Sequence, residues 1–142
     1  MDYSDYWNQL LSRNNDIQGG ALIKVDGVLI SGSKFGTAEN QKTVVAYCAA
    51  IMTIGHELNQ GVGQGEFEEY ILEGKQGYVV LMPVLDKAIF AVLARKQAKL
   101  GLVILDMKSA IDGSFGPGLA GEPIFPSQPP KWDSAYAQPE WD

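Results

Sequence analysis

The sequence predicts an α+β fold, an α/β sandwich in which a five-stranded antiparallel sheet carries helices on both faces. The order is helix-strand-strand-helix-strand-strand-strand-helix. Three observations lead there. Short β-type runs at Glu66–Glu73, Tyr78–Val84 and Ala88–Ala94 are joined by Gly74-Lys75-Gln76-Gly77 and Leu85-Asp86-Lys87, connectors short enough only for an antiparallel meander. After the basic step Arg95-Lys96 the period changes. Leu100, Val103, Ile104, Met107 and Ile111 recur at helical spacing. Upstream, a second pair of β-type runs flanks Asp26-Gly27, a preferred hairpin turn.

Tyr3, Tyr6, Trp7, Leu10 and Leu11 form a one-sided helical stripe that breaks at Asn14-Asn15-Asp16. Aromatics in such a stripe read as core. Gln18–Val25 is expected as a strand, with a two-residue turn at Asp26-Gly27 and a return along Val28–Ser33. Gly32–Gly36 is a polar, glycine-bearing loop. Thr37 is a candidate N-cap, and Glu39 stands in the following first turn, where the helix dipole favours an acid.

The helix predicted from about Ala38 to Asn59 is about 33 Å long at 1.5 Å per residue. Its apolar residues fall on three lines rather than one. Val44, Cys48, Ile51 and Leu58 mark the first, Val45, Ala49 and Met52 the second, and Tyr47, Ala50 and Ile54 the third. A helix apolar on most sides is buried on most sides. Five strands make a sheet about 24 Å across. If two helices cover one face, the third, about 10 Å wide, covers the other alone and leaves apolar surface for a partner. A second copy of the chain is the simplest partner, a homodimer.

Ala21–Val25, Tyr78–Val84 and Ala88–Ala94 are mostly apolar on both faces and suit the sheet centre. Val28–Ser33 and Glu66–Glu73 are mixed and suit its edges. Glu66, Glu68, Glu69 and Glu73 either protect that edge from aggregation or flank a specific pairing.

The 142 residues support one core, and a net charge of −6 with a pI of about 4.7 excludes the basic face that nucleic acid requires. No apolar stretch reaches the roughly 20 residues of a membrane span. The first residues carry acid where a secretory leader carries Lys or Arg, so a cytoplasmic protein without membrane insertion is expected. One cysteine, Cys48, builds no disulfide framework. After Asp112 the composition shifts to proline and glycine, and residues 113–142 read as a flexible tail following a folded domain at residues 1–112. Trp132 and Trp141 in that tail, each beside acid, are candidate docking residues.

Catalytic chemistry is not evident. His56 has no second ligand at metal spacing, and Cys48 has no histidine partner. Gly61-Val62-Gly63-Gln64-Gly65 follows a helix and precedes a strand, the reverse of a phosphate-binding fingerprint. No catalytic, metal or cofactor residues are assigned, and a binding or scaffold protein is expected.

At this point the chain resembles the Roadblock / dynein light-chain family, including its prokaryotic MglB-type members. The likeness rests on Gly20-Ala21-Leu22-Ile23 with the Asp26-Gly27 turn, and on Glu73-Gly74-Lys75-Gln76-Gly77-Tyr78. Its most specific part is Ala91-Val92-Leu93-Ala94-Arg95 through Ala98-Lys99-Leu100-Gly101-Leu102-Val103. It covers about Tyr3 to Asp112. The resemblance implies a non-enzymatic homodimer in which the long helices pack together and the third strands pair edge to edge. It also implies that a small Ras-like GTPase is bound and its nucleotide cycle regulated. Candidate interface residues are Val45, Cys48, Ala49 and Met52 on the long helix, with Phe67, Tyr70 and Leu72 on the third strand. The chain has only two arginines, Arg13 and Arg95, neither on an evident exposed loop, so positioning of the GTPase's own residues is favoured over an arginine finger. The alternative is a ligand-binding sensor or interaction module of the PAS or profilin type, which needs a pocket with convergent polar groups.

Overall fold

The computed structural model describes residues 4–84 and 87–112, the Tyr6 side chain excepted. The elements are α1 (Ser4–Arg13), β1 (Ile17–Lys24), β2 (Leu29–Ser33), α2 (Gln41–Gly61), β3 (Tyr70–Glu73), β4 (Gly77–Val84), β5 (Ala88–Arg95) and α3 (Leu100–Asp112). All strand pairs are antiparallel, and the sheet order is β2-β1-β5-β4-β3. The mixed strands β2 and β3 are therefore the edges, and the apolar β1, β5 and β4 the centre.

Period-2 alternation sorts the core into two layers. Leu22, Val80, Met82, Phe90 and Val92 point to one face, beneath Trp7 and Leu10 of α1 and Val103 and Met107 of α3. Ala21, Ile23, Leu81, Ile89 and Ala91 point to the other, beneath Val45, Cys48 and Met52 of α2. Two helices cover one face, and one covers the other. Trp7 packs its ring 5.9 Å from that of Phe90 and donates its indole N–H to Ser31 Oγ at 2.8 Å, tying α1 to the β2 edge.

Three local expectations need correction. The β1–β2 connection is a three-residue loop, Val25-Asp26-Gly27, closed by Lys24 N–H donating to the Val28 carbonyl at 2.8 Å and Gly27 N–H to the Lys24 carbonyl at 2.9 Å. Gly27 sits at φ 92°, a left-handed position that only glycine adopts without strain. The long helix starts at Gln41 rather than Ala38. Its N-cap is therefore Asn40 and not Thr37; the two residues exchange hydrogen bonds, Thr37 N–H to Asn40 Oδ1 at 2.7 Å and Asn40 N–H to Thr37 Oγ1 at 3.2 Å. This reciprocal pair holds the turn before the helix. Finally, β3 begins at Tyr70, so Glu66, Glu68 and Glu69 belong to the α2–β3 connection and not to the edge strand. Phe67 is the cause. Its ring packs so tightly under α2 that a Cβ at Gly55 would collide with it, which draws this stretch away from the ladder.

Candidate functional site

Because α2 turns its Val45, Cys48, Met52 and His56 side chains into the core, the line one third of a turn away is left outside. Tyr47, Ile54 and Leu58, at i, i+7 and i+11, are 63 %, 65 % and 62 % exposed. Val44 and Ile51 lie half-buried between this line and the sheet. The opposite flank of α2 is polar, with Lys42, Thr53, Glu57 and Gln60. The exposed stripe thus leans to one side, the side of β3.

There the sheet itself is open. Leu72, Val79 and Leu93, on successive strands and facing the α2 side, border a groove of about 230 Å³ whose other wall is Val44, Tyr47, Cys48 and Ile51. Its walls are almost wholly aliphatic and aromatic, with Cys48 among them. Burial pushes the Cys48 thiol up to about 11, so it stays protonated at neutral pH. Such a groove suits an apolar side chain better than a polar ligand. Beyond it, the outer edge of β3 has no strand neighbour among the described residues, and Ile71 and Leu72 are exposed on it.

The structure divides the seven expected interface residues. Val45, Met52 and Phe67 are buried in the chain's own core, while Cys48, also buried, reaches the wall of the open groove. Ala49 is half-buried on the side of α2 that faces the β1–β2 loop, where a Cβ at Gly27 would lie 3.7 Å from its methyl. Tyr70 and Leu72 do border the open groove. The residues passed over are Tyr47, Ile51, Ile54 and Leu58. All were visible as apolar lines, but a helix apolar on most sides does not declare which line meets its own sheet. Trp132 and Trp141 lie outside the described residues.

At the end of the sheet where β4 begins, Lys96 pairs with Glu73, donates to the Gly74 carbonyl at 3.0 Å and lies 5.2 Å from the Tyr78 ring centroid. The hydrogen bond and charge of Lys96 hold Glu73 below the usual carboxylate range, and donating that bond to Glu73 raises Lys96. Arg95 lies 3.3 Å from Asp16, so its guanidinium is engaged within the chain. Among the described residues no group of three or more His, Cys, Asp or Glu could hold a metal ion, and no helix is long and apolar enough to cross a membrane.

The Roadblock/LC7 domain matches residues 7–94 of this chain. Among solved structures, the chain is similar to a Roadblock/LC7 domain from Streptomyces avermitilis, at 16% identity and a TM-score of 0.72, over 79% of this chain and 93% of that one. It is similar to Myxococcus xanthus MglB at 20% identity and a TM-score of 0.68, over 79% and 93%. An MglB with tetrameric arrangement follows at 17% identity and a TM-score of 0.67, over 76% and 81%. At these identities the structural likeness is one of fold. No curated protein shows significant sequence similarity to the chain.

Proposed function

We propose, from the premise that this chain belongs to the Roadblock/LC7 domain family, that it is a non-enzymatic homodimeric scaffold of the cytoplasm that binds a small Ras-like GTPase and modulates its nucleotide cycle. The observation that carries the reading is the one-sided apolar stripe of α2 running into the open groove and unpaired edge of β3. Apolar surface of this continuity marks an interface. In a twofold pairing the same patch meets itself, so α2 packs on α2 while β3 extends the sheet across β3.

The GTPase follows from the MglB-type resemblance. Arg95 is held by Asp16, and Arg13 closes the last turn of α1. A regulator built this way orders the switch regions of the GTPase rather than supplying an arginine to the transferring phosphoryl group. Recovery of the full chain with a co-purifying Ras-like GTPase, followed by nucleotide turnover with and without it, tests the reading. A change in turnover that saturates at a fixed ratio of dimer to GTPase is expected. Turnover and nucleotide release both unchanged at saturating protein would overturn it.

A further inference from the structure

Charge in this chain is unevenly placed. Although its net charge is −6, the end of the sheet where β1 and β4 begin and β5 ends gathers Arg13, Lys75, Arg95, Lys96 and Lys99. The acids placed there among the described residues are already engaged, Asp106 by the Asn14 side chain at 2.7 Å. Asp16 pairs with Arg95 and accepts the Lys99 backbone N–H at 3.4 Å, while Glu73 pairs with Lys96. The ammonium groups of Lys75 and Lys99 face no acid within ion-pair distance among the described residues. Beside Lys75, the Gly74–Gly77 turn and Tyr78 rim a shallow groove of about 390 Å³ with Leu72, Val79 and Leu93 as its apolar floor. An apolar floor with a lysine at its rim, on the basic end of the sheet, fits an aromatic ring flanked by carboxylates.

The chain itself carries such a segment. Residues 113–142 hold Glu122, Asp133, Glu140 and Asp142 against Lys131, and so oppose the basic end in sign. Lys131-Trp132-Asp133 is neutral, whereas Glu140-Trp141-Asp142 sets its ring between two acids. Reach is sufficient. α3 leaves this end at Leu100 and stops at Asp112, about 20 Å of helix later. Residues 113–140 then separate Asp112 from Trp141, and a random coil of that length would span on the order of 30 Å. We propose that Glu140-Trp141-Asp142 docks on this groove of its own chain, the indole on the Val79–Leu93 floor and the carboxylates toward Lys75 at its rim. Leu72 and Val79 border both grooves, so a docked tail shields part of the strip that pairing across β3 uses.

Amide NMR of the full chain tests this, comparing wild type with the double variant Glu140→Lys, Asp142→Lys and with Trp141→Ala. At low salt both variants are expected to shift the Gln76 and Gly77 amides. The difference from wild type should be lost at about 1 M salt, where the screening length falls to about 3 Å. Lys75→Glu, at an exposed turn position, should reproduce the charge effect without disturbing the core. Three outcomes overturn the proposal. One is amides at Gln76 and Gly77 unmoved by both tail variants, and another is variant shifts confined to the α2 stripe. The third is a wild-type shift that fades on dilution, which places the tail on a second copy instead.

Discussion

The two faces of the sheet are made by alternate residues of the same strands, and inside they are equally dry. Phe90 on the α1–α3 face and Ile89 on the α2 face are both fully buried. Outside they differ. On the first face two helices share the cover, with Leu102 and Leu105 exposed on α3 and Ile71 at the β3 edge. On the second face one helix spans a sheet wider than itself, and Tyr47, Ile54 and Leu58 continue into Leu72 and an open groove. Single exposed leucines are ordinary on protein surfaces, but a continuous strip beside an unpaired strand edge is not. Burial within the chain and availability to a partner are therefore separate properties, and α2 supplies both from different sides.

Substitutions can break this comparison at its strongest point first. Phe90→Ala is expected to cost about 3–5 kcal/mol and Met52→Ala about 2–5 kcal/mol of unfolding free energy, because each empties a filled core site. Denaturant unfolding measures both. A cost below about 1 kcal/mol for Met52→Ala would mean that α2 is only loosely held on its face. Next come Ile54→Asp and Leu58→Asp, each expected to weaken self-association about 10- to 100-fold through loss of an apolar anchor, with little change in the unfolding of the separated chain. Leu105→Asp, equally exposed on α3, should leave association unchanged, and sedimentation of the three variants sharpens the contrast between the faces. Trp7→Phe keeps the ring in the core but removes the hydrogen bond to Ser31. It should cost about 1 kcal/mol, read from thermal unfolding.

The smallest effect is at the β3 edge in acid. Glu73 is held below its ordinary value of 4.5, so the stability from its pair with Lys96 is complete above that pH and is lost as pH falls through the lowered value. Both groups are exposed, and the loss should appear as local fraying of β3 in amide exchange rather than as global unfolding.

How far the sequence could be read follows from the same geometry. The central strands were legible because their residues are apolar on both faces, and the edges because Val28–Ser33 and Glu66–Glu73 are mixed. The single-helix face was legible from counting helix widths against sheet width. The beginning of β3 was not, because Phe67 has the spacing of a strand residue and only its packing against Gly55 shows that it belongs under α2. Nor was the inward line of α2. Val45, Cys48 and Met52 are no more apolar than Tyr47, Ile54 and Leu58, and the choice between them depends on the angle at which the helix lies on the sheet. Polar residues gave the finer answer, since Lys42, Thr53, Glu57 and Gln60 mark one flank as solvent and leave the other for a partner.

The mass of the full chain in solution, measured by light scattering at micromolar concentration beside Ile54→Asp, tests most directly whether the α2 face is an interface. A mass about twice 15.4 kDa for the wild type, falling toward a single chain in the variant, is expected. A wild type that stays at the mass of one chain, or a dimer that Ile54→Asp leaves intact, would contradict it.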